Sequence, residues 1–176
     1  MKKTLPRAAV GGATLLLGTV LTSGTAAAEA EEPEEHCVAD MDTGEQTCFA
    51  TLDAALSAAE AETGPSGPTA LGAETNAQND VIVGTFFTER GYGGNSLTVT
   101  AEAPCVKDGW VDYQFNLTGD FADWADDITS AQPWANCWIW LYPEADLGGD
   151  RDGPYKENTA YVGDFMNDRT VSIGFS

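Results

Sequence analysis

The sequence predicts an all-β sandwich made of two related units, and three observations carry that reading. Short strand-like runs separated by Gly- and Asp-rich turns fill the second half of the chain: Val81 to Phe87, Ser96 to Thr100, Val111 to Leu117, Cys137 to Tyr142 and Thr170 to Phe175. A pattern of aromatic, Glu, large apolar and Gly residues occurs twice in that half, at a constant offset of 55 residues. Four cysteines, an even number, suit a small cross-linked frame.

The elements follow in order along the chain. Residues 1–30 have the form of a secretory leader, with Lys2, Lys3 and Arg7 ahead of an apolar stretch and Ala26-Ala27-Ala28 or Ala28-Glu29-Ala30 as the cleavage site. The apolar core, interrupted by Gly11, Gly12 and Gly18, falls short of the roughly 20 residues a spanning helix needs, so the mature chain is expected in the extracellular space without a membrane anchor. Residues 31–59 read as a small element: frayed acidic residues, then a hairpin around Asp42-Thr43-Gly44 between Cys37 and Cys48, then a short helix. In that helix Thr51 is the N-cap and Leu52, Ala55, Leu56 and Ala59 share a face. Residues 60–80 lose large apolar side chains and carry Gly64, Pro65, Gly67 and Pro68, the composition of a flexible linker. Residues 81–176 are the β-domain. Within it Trp138 and Trp140 lie two apart on one strand face and are expected in the core, with an exposed carbohydrate-binding strip as the alternative.

Charge and cysteine usage limit the function. The chain of 176 residues has 28 Asp plus Glu against 8 Lys plus Arg, and loss of the leader removes three of the basic residues and one acidic residue. Such a field repels nucleic acid and anionic membrane surfaces and favours cations. A single histidine, His36, rules out sites needing two or three imidazoles. In an oxidising compartment two disulfides are expected. Pairing Cys37 with Cys48 and Cys105 with Cys137 keeps each bridge within one segment, although spacing does not decide among the three connectivities. No cysteine pair has the C-x2-C spacing of a zinc site.

The repeat aligns Phe87-Thr88-Glu89-Arg90-Gly91-Tyr92-Gly93-Gly94 with Tyr142-Pro143-Glu144-Ala145-Asp146-Leu147-Gly148-Gly149. Its last Gly suits a folded-over hairpin that needs φ > 0. A second patch follows each copy: Asp126-Asp127-Ile128-Thr129-Ser130 and Asn167-Asp168-Arg169-Thr170-Val171-Ser172. Taken together, aromatic-x4-aromatic-x-Gly and then [DN]-[DN]-x-x-[ST] resemble the paired Greek-key signature of the βγ-crystallin superfamily, including its secreted bacterial branch of metalloproteinase inhibitors and killer-toxin-like proteins. The likeness covers residues 81–176 and implies a double Greek-key sandwich, a bridge similar to Cys105 with Cys137, and calcium as the bound ion. Carried over by position, it implies Asp126, Asp127 and Ser130 as ligands in one loop, Asn167 and Asp168 in the other, and backbone carbonyls of Glu89 and Glu144 from the hairpins. Hard oxygens of these kinds are what calcium takes. Val171 stands where the second loop should offer a hydroxyl, which puts one of two sites in question. The competing reading makes these Asp and Asn residues turn caps.

The function expected is a secreted, monomeric, non-catalytic calcium-binding protein stabilised by its ion. The alternative is an inhibitor of an extracellular metalloproteinase acting through an exposed loop, with 143–156 as candidate. A carboxylate-pair hydrolase has only acidic abundance behind it, and His36 has no nucleophile elbow to serve.

Overall fold

Nine strands and one α-helix are formed by the residues that the computed structural model describes, 33–62 and 80–176. In chain order they are β1 His36–Asp40, β2 Gln46–Phe49, α1 Leu52–Glu62, β3 Val81–Phe87, β4 Ser96–Ala101, β5 Tyr113–Asn116, β6 Ser130–Pro133, β7 Ile139–Tyr142, β8 Asp152–Tyr155 and β9 Ser172–Phe175, with a 3-10 turn at Gly119–Trp124. The expected leader (1–30) and most of the expected linker (60–80) lie outside the described residues. None of the described helices is long and apolar enough to cross a membrane.

The strands form two sheets, ordered β2-β1-β4-β3-β6 and β5-β9-β7-β8. Each unit gives its third segment to the other unit's sheet. In the first unit β3, β4 and β6 stay together while β5 crosses to pair with β9. In the second β7, β8 and β9 stay together while Thr159 crosses to bridge Ala131 of β6, with reciprocal N–H to carbonyl bonds of 2.8 and 3.0 Å. This exchange is the double Greek key, and it leaves neither sheet complete without the other unit.

Alternation along the strands sends Val83, Leu97, Val99, Phe115, Ile139, Leu141, Ile173 and Phe175 into the space between the sheets. Each fully buried side chain of this class contributes about 1.5–3 kcal/mol. Phe86 and Phe175 meet edge to face at 6.1 Å, and Gly84 makes room for them: a Cβ there would stand 2.9 Å from the Phe175 ring. A second cluster, on the outer side of the five-stranded sheet, packs Ala55 and Ala59 of α1 on Val38 and Ile82. Thr51 caps α1 as expected, its hydroxyl accepting from the Ala54 N–H at 3.2 Å. Both expected disulfides form, Cys37–Cys48 across directly opposed residues of β1 and β2, and Cys105–Cys137.

Four features differ from the sequence reading. Residues 33–62 are not a satellite of the β-domain: β1 pairs in parallel with β4 from His36↔Ser96 to Asp40↔Thr100, and the described residues 33–62 and 80–176 belong to one compact unit. His36 is therefore not at a frayed end but buried, its Nδ1 hydrogen-bonded to Ser96 Oγ at 2.9 Å. Trp138 and Trp140 are half-buried on the outer face, because Ile139 and Leu141 take the inward positions of the same strand. Their rings lie beneath Lys156 and Arg151, at 3.7 and 3.9 Å to the centroids. Finally, β6 and β8 carry weak strand signals. Their segments, Ser-Ala-Gln-Pro and Asp-Gly-Pro-Tyr, contain proline, which β8 tolerates as an edge strand.

Candidate metal centre

Two folded hairpins and two loops build the site. In the connection after β3, Tyr92 takes φ 70° and Gly94 φ 72°; after β7 the equivalent Leu147 and Gly149 take 57° and 79°. Only glycine fits the last position without strain: a Cβ on Gly94 would lie 2.4 Å from Thr88 Oγ1, and one on Gly149 would lie 2.8 Å from Pro143 Cγ. Phe87 packs edge to face on Tyr92 at 5.7 Å and closes the first hairpin.

A serine locks each hairpin. Ser130 Oγ donates to the Glu89 carbonyl at 2.6 Å and accepts from Tyr92 N–H at 3.1 Å. Ser172 Oγ does the same with the Glu144 carbonyl at 2.6 Å and Leu147 N–H at 3.0 Å. Both serines are fully buried. Ser130 and Ser172 are therefore equivalent, and so are residues 42 apart throughout the loops that precede them.

The loops confirm this register by their own pairing. Asp126 and Asp168 both adopt left-handed backbone, at φ 59° and 53°. Asp126 N–H donates to the Thr170 carbonyl at 2.9 Å, and Asp168 N–H donates to the Ile128 carbonyl at 3.3 Å, so the loops cross with approximate two-fold symmetry. Thr129 thus matches Val171. Aligning Asp126 with Asn167, which made Ser130 a ligand, is out by one residue: the Ser130 hydroxyl is committed to its hairpin. The hydroxyl facing the opposite loop is that of Thr129, which donates to Asp168 Oδ1 at 3.3 Å.

The remaining expected ligands are placed as follows. The Glu89 and Glu144 carbonyls are drawn to the loops by the serines, and each keeps a second lone pair for another partner. Asn167 donates from its side-chain amide to Asp168 Oδ2. Asp126 is exposed at the turn beside Val171's position in the register, where no hydroxyl opposes it. Asp127 matches Arg169 rather than a ligand position; it is exposed overall, and partial desolvation first, then the Asp168 charge, raise its carboxyl above the usual range. Thr170 takes the place of the core residue Ile128, and its buried hydroxyl has no hydrogen-bond partner among the described residues.

The donor set of the first half, Thr129 hydroxyl, Asp168 carboxylate and Glu89 carbonyl, is entirely hard oxygen and fits a calcium-class ion. The second half offers Asp126 and the Glu144 carbonyl but Val171 in place of the hydroxyl. Among the described residues the nearby cations make no ion pair with these loops: Arg90 lies over the Tyr161 ring at 3.6 Å and Arg169 over Phe165 at 5.0 Å. Glu35 approaches Cys37 and Cys48 within 4.8 Å, but those sulfurs are bonded to each other and offer no thiolate.

No family model and no curated protein matches the chain. Among solved structures, it is similar to a betagamma-crystallin domain from Clostridium beijerinckii, with TM-score 0.40 and 20% identity over 53% of this chain and 95% of that one. A betagamma-crystallin domain from Flavobacterium johnsoniae gives 0.39 and 20% over 53% and 93%. The N-terminal domain of protein S gives 0.40 and 14% over 53% and 94%. The chain, with its mostly-β double Greek key, resembles bacterial betagamma-crystallin domains.

Proposed function

We propose that this chain is an exported, non-catalytic calcium-binding protein of βγ-crystallin type, with one competent ion site at the crossing of its two loops. The observation that supports the reading is the contact of Thr129 with Asp168 across the loops, beside a Glu89 carbonyl that Ser130 holds in place. Thr129 and Asp168 come from different units, so an ion held by both ties the units together. Calcium supplies the positive charge that this oxygen set lacks and stabilises the folded state by mass action, about 2.7 kcal/mol at 100 times its dissociation constant. Calcium calorimetry on the full chain tests the reading, with Thr129→Val expected to abolish the loop site.

Catalysis has no support at the one His–Ser pair. Ser96 is fully buried against His36, so no substrate reaches it.

Inhibition of a metalloproteinase is the second reading, and residues 105–112 suit it better than residues 143–156. Residues 143–156 are occupied by the second folded hairpin and β8, whereas residues 105–112 project Val106 and Trp110, which are 62% and 79% exposed. That loop is anchored by Cys105–Cys137 and stiffened by Asp108 Oδ1 and Asp112 Oδ2, which accept from Trp110 and Val106 N–H at 2.9 and 3.0 Å. A rigid loop with exposed apolar side chains is what cleft binding without release requires. Titration of a zinc endopeptidase with the wild-type chain and Trp110→Ala tests it; equal activity with and without the chain removes the reading.

A further inference from the structure

Three neighbouring strands of the five-stranded sheet bring acidic residues to one end. β3 begins at Val81 just after Asp80, β4 ends at Ala101 just before Glu102, and β1 ends at Asp40. Val81 pairs with Ala101, so Asp80 and Glu102 are the next opposed positions across the antiparallel pair. On the other side of β4, Asp40 pairs with Thr100, and Asp42 follows in the turn. This end lies the length of β3 away from the Glu89 hairpin, about 20 Å for a strand of seven residues.

The arrangement is unfavourable as it stands. Like charges directly opposed on two strands destabilise a sheet. Asp80 is only 6% exposed, and its Oδ1 is buried with no hydrogen-bond partner among the described residues. A buried carboxylate oxygen without a donor is costly. Burial first, and then the charges of Asp40, Asp42 and Glu102, raise the Asp80 carboxyl above its ordinary range. No Lys or Arg among the described residues bonds to Asp80, Asp40 or Glu102. Asp40 is already oriented: its Oδ1 accepts from the Asp42 and Thr43 N–H groups at 2.7 and 3.0 Å, which leaves Oδ2 for another partner.

We propose that this strand-end cluster is a second, separate site for a hard divalent cation of the calcium class, anchored by the buried Asp80 carboxylate and completed by Glu102 and Asp40. A proton on Asp80 would satisfy one group and leave the other acids opposed, whereas a divalent ion relieves the whole set. Oxygen-only donors select hard ions over zinc or copper. Among the described residues these carboxylates do not converge within 4.8 Å of one another and Glu102 is exposed, so binding requires its side chain to turn inward. The site draws β1 and β3 together on the two sides of β4 and so fastens the N-terminal hairpin to the Greek-key sheet.

The test uses the full chain with the loop site removed by Thr129→Val and Asp168→Asn, which keeps the two sites distinguishable. Calcium calorimetry on that background is expected to show one remaining equivalent, weakened at least tenfold by the near-isosteric Asp80→Asn and also by Glu102→Gln, with circular dichroism establishing that each variant is folded. Absence of binding on the background at millimolar calcium overturns the proposal, and so does binding that Asp80→Asn leaves unchanged. A rise in thermal midpoint in EDTA on Asp80→Asn, without calcium binding in the parent, would assign Asp80 a trapped proton instead.

Discussion

Replacing Ser130 by Ala separates a hairpin lock from a metal ligand, because the two roles fail under different conditions. The Ser130 hydroxyl is fully buried, donates to the Glu89 carbonyl at 2.6 Å and accepts from Tyr92 N–H at 3.1 Å. Alanine leaves both groups without that partner, and stranded polar groups cost about 1–3 kcal/mol each. Glu89 is exposed and Tyr92 half-buried, so water recovers part of the loss and the net cost is about 2–3 kcal/mol. For a chain of this size, that lowers the thermal midpoint by roughly 5–10 °C. Thermal unfolding followed by circular dichroism in EDTA is the assay. Ser130→Ala and Ser172→Ala should fall by similar amounts with no metal present, since the two serines make matching bonds. Thr129→Val, which loses only a 3.3 Å bond to Asp168, should fall by less than about 2 °C in EDTA and lose its response to calcium. If Ser130→Ala is silent in EDTA and weak only in calcium, the hydroxyl is a ligand and the loop register is wrong.

Four further outcomes follow from the same geometry. Val171→Thr supplies the hydroxyl missing opposite Asp126 and should add one calcium equivalent by calorimetry; an unchanged stoichiometry would show that the side chain is not what disables that half. Thr170→Val replaces a buried hydroxyl that lacks a partner with a methyl group of similar shape and should stabilise by about 1 kcal/mol in denaturant unfolding; a loss of that size would reveal a bond to the hydroxyl. Removing residues 33–62 bares the edge of β4, every residue of which is buried, so size-exclusion chromatography of 80–176 should show self-association, and a stable monomer with the parent's midpoint would contradict this. Burial, and then Asp152, raise the Tyr155 phenol well above its ordinary value of 10.0. Its contribution is full below pH 10.0 and is lost as pH rises toward the folded value, so Tyr155→Phe should flatten the alkaline decline in stability. The same substitution removes the bond to the Val162 carbonyl and should cost about 1 kcal/mol at neutral pH.

What the sequence reveals here depends on how local the cause is. The 55-residue hairpin repeat is legible because an aromatic, a left-handed residue and a Gly with no room for Cβ must recur at fixed spacing for the hairpin to fold over. The disulfides and the α1 cap are local for the same reason. The loop register is not legible: offset 41 matches Asp126-Asp127 to Asn167-Asp168, offset 42 matches Asp126 to Asp168 and Ser130 to Ser172, and only the bonds of Ser130 and Ser172 choose between them. The signal in reach was the shared final serine of the two patches. The place of β1 is hidden differently. Its run His36–Asp40 announces a hairpin with β2, but its other edge pairs with a strand 60 residues away, across a stretch with linker composition. Trp138 and Trp140 illustrate a third case, since large aromatics and aliphatic neighbours alternate and hydrophobicity alone does not say which set faces in.

The most direct measurement is calcium calorimetry on the full chain beside Thr129→Val, Asp168→Asn and Asp126→Asn. One calcium equivalent should vanish in Thr129→Val and Asp168→Asn and persist in Asp126→Asn, because only the first half of the crossing supplies hydroxyl, carboxylate and held carbonyl together. Equal weakening by Asp126→Asn and Asp168→Asn would contradict the single loop site, and no calcium binding at millimolar concentration would reduce both loops to turn caps.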